Sequence, residues 1–377
     1  MTIGTVLLII VIVVGGGYLF VTRTINTHTY RPIDSEATES DAITFEIEPG
    51  MWSAAVIERL YEEDLIRHEW IANQIVRFNS WGTVQVGEYE LHPGMSLYEM
   101  FALFTEGDVV GEGPVVHVIV PEGALLVQIA NLVAGAEGLT LDIDADYLLA
   151  LWSDTDFLAE LIEAYWFLTD DILNPELYYP LEGYITPIRH EIPEGVEDGR
   201  ALTVAMLNMT QQRLAGVREQ VEAHEMTFHE ILSFAAIIEA ETQDVDEKSM
   251  VAGVFQNRLD IEMLLQTDVT VQYIAAERQT QVTYEMLGID SPFNTYRHFG
   301  LPPGPVNSPS VQAIEAAMEP ESHDYIFFIS DMFGCVGEPG NKNYFTNFED
   351  HLAFYHAHLR PSYDAGYSVC NPDVQLN

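Results

Sequence analysis

The stretch TFHEILSFAAIIEAETQ, from Thr227 to Gln243, leaves this chain little freedom in how it folds. Thr227 followed three residues later by Glu230 is a capping box, which opens a helix. Ile231, Leu232, Phe234, Ala235, Ile237 and Ile238 then cover almost every direction around the helix axis, so other elements must enclose it. Two glutamates close the run. At about 100° per residue, Glu239 and Glu241 point roughly 200° apart, so only one can serve a given cleft. Glu239 follows the small Ala235 and Ala236, which leave room for a cleft, and it is the candidate reactive group. Glu241 sits over Ile237 and Ile238 and reads as a supporting or surface residue. A helix emerging into solvent also ends on such residues, so the helix alone does not decide for catalysis.

The pattern on either side is mixed α+β. Ile43 to Ile47 reads as a strand, Trp52 to Leu60 and Glu69 to Phe78 as helices, Val84 to Leu91 as a strand and Ser96 to Phe104 as a helix. This βααβ order over residues 43–108 resembles a LysM-like module, a fold that holds N-acetylated glycans. Strand, glycine turn and helix recur at Val116 to Val120, Pro121-Glu122-Gly123 and Ala124 to Ala134. Residues 140–178 read as helical and acidic, 178–187 as extended, and Arg200 to His224 as one long helix before the central one. Beyond it, Ser249 to Arg258 and Gln266 to Tyr273 read as helices, with Asp268 as N-cap of the second. The loop 291–309 is too long and aromatic for a connector and suits a site. Tyr325 to Ser330 reads as a strand, Gly334 to Asn343 as a loop and Glu349 to Leu359 as a helix.

Several chemistries find no support. No glycine-rich loop is followed by Lys and Ser or Thr, no GxSxG elbow occurs, and the spacing of His351, His356 and His358 does not align on one helical face. A nucleic-acid partner is disfavoured, because 59 acidic residues stand against 15 basic ones and no basic cluster occurs. The same balance predicts solubility in high salt, where screening removes self-repulsion. Disorder is opposed by a 48% hydrophobic content. The only lysines are Lys248 and Lys342. Carboxylate chemistry is left, as in glycoside cleavage: a glutamate against an apolar wall tends toward its protonated form and can act as a general acid.

Ile3 to Val21 is an uncharged apolar run long enough to span a bilayer and reads as a transmembrane anchor, with a cleaved signal peptide as the other reading. Arg23 and Arg31 both follow it, which by the positive-inside rule alone puts the soluble part in the cytoplasm. Cys335 and Cys370 are open to two readings, a bridge pinning the tail or two separate thiols.

The run SFAAIIEAET, followed by VAGVFQNRL (251–259), MLLQTDVTVQY (263–273), SPFNTY (291–296) and GLPPGPVNSP (300–309), resembles the endolytic murein transglycosylases. VIVPEG (118–123) and LEGYITP (181–187) extend the likeness upstream. The resemblance implies a single-pass membrane enzyme that cuts nascent peptidoglycan strands between MurNAc and GlcNAc, leaving 1,6-anhydroMurNAc ends and using no cofactor or metal. It places the family's catalytic glutamate on Glu239 as both acid and base. It also sets Glu241, Gln266, Asp268, Tyr273, Asn294, Thr295 and Tyr296 along the glycan cleft. The substrate's own 6-hydroxyl is the nucleophile, so a second carboxylate is not required.

The implied organisation is an anchor (1–22), a linker (23–42), a LysM-like module (43–110), a transglycosylase region of mixed α+β structure (111–360) and a tail (361–377). Residues 22–377 are implied to lie outside the cytoplasmic membrane, where peptidoglycan synthases are candidate partners. The rival readings are a catalytically silent glycan-binding scaffold and a two-carboxylate hydrolase with Glu241 or Asp268 as the second acid.

Overall fold

Among the described residues three antiparallel strand pairs, two of them joining segments 40 or more residues apart, staple a largely helical chain. The computed structural model describes residues 41–47, 51, 53–78, 84, 87–106, 115–193, 195–275, 282–330 and 342–359, with a few positions between 29 and 38. The expected anchor over residues 3–21, both cysteines and the tail 361–377 lie outside the described residues. Among the described residues no helix is long and apolar enough to cross a membrane.

The first unit runs β1 (Ile43–Ile47), α1 (Ser53–Glu62), α2 (Glu69–Phe78), β2 (Gly87–Leu91) and α3 (Leu97–Glu106). The two strands pair with Ile43 opposite Leu91 and Ile47 opposite Gly87. Their alternation turns Phe45, Ile47, Tyr89 and Leu91 inward onto Val56, Ile57, Ile75, Phe101 and Phe104. The βααβ order is thus present, with a core of its own.

The second unit continues with β3 (Val115–Ile119), α4 (Leu126–Ala134), α5 (Ala145–Leu151), α6 (Thr155–Ala164), β4 (Arg189–Pro193), α7 (Gly199–Leu214), α8 (Arg218–Ala223) and α9 (Phe228–Glu241). After these come α10 (Lys248–Asp260), α11 (Asp268–Ile274), α12 (Tyr284–Leu287), α13 (Val311–Met318), β5 (Phe327–Ser330), β6 (Lys342–Phe345) and α14 (Phe348–Phe354). Strand β3 pairs with β4, Val116 opposite Ile192, and β5 with β6, Phe327 opposite Phe345.

Helix α9 is the axis of this unit. Its capping box is formed: the Glu230 N–H donates to the Thr227 hydroxyl at 3.2 Å, and the Thr227 N–H donates to the Glu230 carboxylate at 2.7 Å. From Phe228 to Glu239 every residue except Glu230 is buried. Helices α10, α11 and α13 pack around it. Each fully buried Ile, Leu or Phe on it contributes about 1.5–3 kcal/mol of burial.

Four expectations change. Residues 178–187 are not extended but fold as successive turns, with the Glu182 N–H on the Tyr179 carbonyl and the Tyr184 N–H on the Leu181 carbonyl. Gly183 makes this possible: its φ is +80°, and a Cβ there would meet Pro305 at 2.6 Å. The helix expected over 200–224 breaks after Leu214, where Gly216 weakens helical propensity. Asp268 is not the cap of α11 but its first residue; Thr267 holds the cap position, and its hydroxyl is engaged elsewhere. Strands β4 and β6 were not legible as strands; β4 is held by β3, a partner about 70 residues away in sequence, and β6 by β5.

Candidate active site

Glu239 sits at the end of α9 with its side chain 2% exposed. Three loops are bound together around it. The 118–123 turn passes over its stem: Gly123 has φ +68°, and a Cβ on it would stand 3.9 Å from Glu239 Cγ. The 300–309 loop pairs with that turn, the Gly123 N–H donating to the Ser308 carbonyl and the Ser308 N–H to the Ala124 carbonyl, both at 2.8 Å. Asn307 ties the same loop to α9 by donating from Nδ2 to the Ala236 carbonyl at 2.8 Å. In the third loop, Glu182 is buried and accepts the Leu126 N–H at 2.8 Å and the Tyr273 hydroxyl at 3.3 Å. Burial, with Glu182 adding, pushes the Tyr273 phenol well above its usual range, so it stays a donor.

One oxygen of Glu239 is saturated. Oε2 accepts the Ser310 N–H at 3.0 Å, the Ser310 hydroxyl at 2.5 Å and the Lys248 ammonium at 2.9 Å. Ser310 is the N-cap of α13, so the same oxygen also lies at a helix start, which favours negative charge. Lys248 is 1% exposed and donates further to the Thr242 carbonyl at 3.2 Å. Among the described residues Oε1 has no hydrogen-bond partner. The neighbourhood of Glu239 is therefore not the purely apolar one expected: an apolar helix flank faces one side of it and three donors the other.

Beside Glu239 opens a cleft of about 690 Å³, lined also by Glu122, Gly123, Gln128, Gln243, Gln272 and Tyr273. Amides and carboxylates of this kind exchange hydrogen bonds with hydroxyl-rich ligands. Among the described residues no group of His, Cys, Asp and Glu could hold a metal ion.

The residues singled out in the sequence do not all reach this cleft. Glu239 and Tyr273 line it. Glu241, Gln266, Asp268 and Tyr296 line a second concavity of about 320 Å³. Asn294 and Thr295 are in the interior, 0% and 1% exposed. They brace the walls of that second space: Asn294 Nδ2 donates to the Leu287 and Ile289 carbonyls at 3.1 and 2.8 Å, and the Thr295 hydroxyl meets the Thr267 N–H at 3.2 Å. Glu241 is half-buried, in line with a supporting role. Thr267 donates its hydroxyl to Glu241 at 2.5 Å, and burial raises the carboxyl above its ordinary value, with the charge of Asp268 adding and the Thr267 bond opposing. With Glu241 and Asp268 in the other concavity, neither is placed as the second acid of a hydrolase at Glu239.

Sequence reading passed over Lys248, Ser310, Glu182 and Gly123. A signal existed for the first: in a chain with two lysines, Lys248 lies nine residues after Glu239. Both lysines are buried ion-pair partners, Lys342 holding Glu247 at 2.9 Å as Lys248 holds Glu239.

A profile of the YceG-like family matches residues 45–356. A Bacillus subtilis protein named endolytic murein transglycosylase is 28% identical over 326 residues, covering 86% of this chain and 87% of that protein. A Streptococcus pneumoniae protein of the same name is 28% identical over 330 residues, 85% of this chain but 58% of its own longer sequence. A crystal structure of a YceG-like protein from Listeria monocytogenes superposes with a TM-score of 0.57 at 30% identity, over 83% of this chain and 99% of that one.

Proposed function

The chain belongs to the YceG-like family, and from that premise we propose that it is an endolytic peptidoglycan lytic transglycosylase with Glu239 as general acid and base. One observation carries the assignment: a buried carboxylate lines a cleft of about 690 Å³ while one of its oxygens is held by Ser310 and Lys248. Oε2 faces three donors, so a proton that Glu239 takes up for the reaction is carried by Oε1. That proton passes to the oxygen linking MurNAc to GlcNAc as the bond to C1 breaks. The carboxylate left behind is met by the Lys248 ammonium and the Ser310 N–H, and then takes the proton of the MurNAc 6-hydroxyl. The hydroxyl oxygen closes on C1 to give a 1,6-anhydro end, and Glu239 regains its proton.

The cleft's amide side chains, Gln128, Gln243 and Gln272, and the phenol of Tyr273 position the sugar rings in this reading. Residues 43–110 act as a LysM-like module holding the strand. The apolar run 3–21 anchors the chain as a single pass, with the rest outside the plasma membrane near the peptidoglycan synthases.

A hydrolase is the second reading, because Glu122 lines the same cleft as Glu239 and is the one carboxylate there that could serve a water. Mass spectrometry of digested, uncrosslinked glycan separates the two. Anhydro ends support the transglycosylase, and reducing ends from wild type overturn it.

A further inference from the structure

The aromatic surface of the cleft does not stop at Tyr273. Tyr178, at the start of the 178–187 turns, packs on that ring with centroids 5.7 Å apart and planes at 78°, and Phe293 lies against both, 5.5 Å from Tyr178 and 5.3 Å from Tyr273. The three rings lead from the interior to solvent: Phe293 is 1% exposed, Tyr273 lines the cleft with Glu239, and Tyr178 is 52% exposed. We propose that Tyr178 is a stacking subsite for a further sugar ring of a glycan strand whose cleaved bond lies at Glu239.

An exposed tyrosine is ordinary in itself. This one is set apart by how firmly it is held and by what it adjoins. Phe293 shares a buried cluster with Ala236 of α9 and Val306 of the 300–309 loop, and Leu177 and Tyr273 pack against that cluster. Leu177 is also close against Gly304, where a Cβ would stand 2.4 Å from Leu177 Cδ2. On the other side of Tyr178 the turn is closed by the Glu182 N–H on the Tyr179 carbonyl at 3.1 Å, and Glu182 accepts the Tyr273 hydroxyl at 3.3 Å. The backbone is thus fixed on both sides of Tyr178, and its ring rests on two others that are themselves fixed. A ring already ordered loses little side-chain entropy when a ligand covers it.

The chemistry beside the ring selects the ligand. Tyrosine is apolar on its faces and polar at its tip, and a pyranose is likewise apolar on its C–H faces and polar at its edge. The adjoining cleft offers the amides of Gln128, Gln243 and Gln272 to hydroxyl groups, so a hydroxylated ring is the ligand that suits both. A nucleobase also stacks on tyrosine, but its phosphates would meet a chain with 59 acidic and 15 basic residues. The identity of the strand rests on the transglycosylase reading.

The subsite is tested on the full chain carrying Glu239→Gln, in which strands should stay uncut. Uncrosslinked strands of alternating GlcNAc and MurNAc are titrated by calorimetry against this parent and against versions that add Tyr178→Ala or Tyr178→Phe, each checked for folding by a thermal melt. The alanine version should bind roughly tenfold more weakly, and the phenylalanine version, which keeps the ring, within about twofold of the parent. A third version, Tyr178→Trp, reports on the ring itself. Its fluorescence should move to shorter wavelength on saturation with strands, by more than the parent's own tryptophans do, because the sugar displaces water from the indole. Equal binding by the alanine version, or no added shift at saturation, overturns the subsite and leaves the transglycosylase reading in place. Unchanged binding together with a dimer that Tyr178→Ala dissolves in sedimentation would also overturn it, making the ring a contact between copies of the chain. Failure of the parent to bind any strand, with no cleavage by wild type, refutes that reading and the subsite with it.

Discussion

Lys248 and Glu239 face each other at 2.9 Å with side chains 1% and 2% exposed. A buried ion pair rarely stabilises a fold over an apolar pair of the same size, because both charges lose their water. Its presence at the wall of the cleft is therefore better explained by what it does to Glu239. The ammonium fixes one carboxylate oxygen and balances the charge that proton transfer leaves behind.

Removing only the ammonium should be costly. Lys248→Met is expected to lose about 3–5 kcal/mol of stability, since it strands a buried carboxylate. Adding Glu239→Gln should recover part of that loss, giving a coupling energy in a double-mutant cycle followed by denaturant unfolding. Strict additivity of the two substitutions would mean that the pair is not coupled.

Ser310 offers a finer probe. Ser310→Ala removes a hydroxyl from a charged acceptor, worth about 1.5–3 kcal/mol, and should lower kcat roughly 10- to 100-fold. It also loses the cap of α13, about 1 kcal/mol of stability. Ser310→Thr keeps the hydroxyl, so its kcat should stay near wild type. Equal kcat for the alanine and threonine variants would show that the hydroxyl does not act on Glu239.

Gly123 predicts a graded series. Any L-residue at φ +68° costs about 1–2 kcal/mol, so Gly123→Ala should melt earlier. Its Cβ at 3.9 Å from Glu239 Cγ is in ordinary contact, so cleavage should persist. Gly123→Val adds two methyl groups beside the carboxylate stem and should abolish turnover while the protein remains folded by circular dichroism. Full activity in the valine variant would place the reaction elsewhere.

Glu241 sets a pH dependence of stability. Burial raises its carboxyl above the ordinary value of 4.5, so the folded state holds the proton more tightly than the unfolded chain. The stability tied to that proton is full below the unfolded value and is lost as pH rises through the folded one. Glu241→Gln has no proton to lose, so its melting temperature relative to wild type should rise between pH 4 and pH 7. A difference that stays flat with pH would contradict the raised carboxyl.

What the sequence showed and what it hid divide along physical lines. The capping box at Thr227 and Glu230 is a local interaction, so α9 begins where it was expected. The divergence of Glu239 and Glu241 follows from helix geometry alone, and they do line different spaces. Which other motif residues share a space with each was not legible, because it depends on how α11 and the 291–296 loop pack on α9. Ser310 reaches Glu239 from 71 residues away, and Lys248 reaches it across a chain reversal. Periodicity carries no record of either contact. The 178–187 turns escaped because Gly183 and the Pro305 it touches lie on different loops.

The central claim is that Glu239 performs both proton transfers. Its most direct test is product analysis on nascent, uncrosslinked glycan strands digested by wild type and by Glu239→Gln side by side. Shorter strands ending in 1,6-anhydroMurNAc from wild type, and intact strands from a folded Glu239→Gln protein, are the result expected. Anhydro-ended fragments produced by Glu239→Gln at the wild-type rate would contradict it.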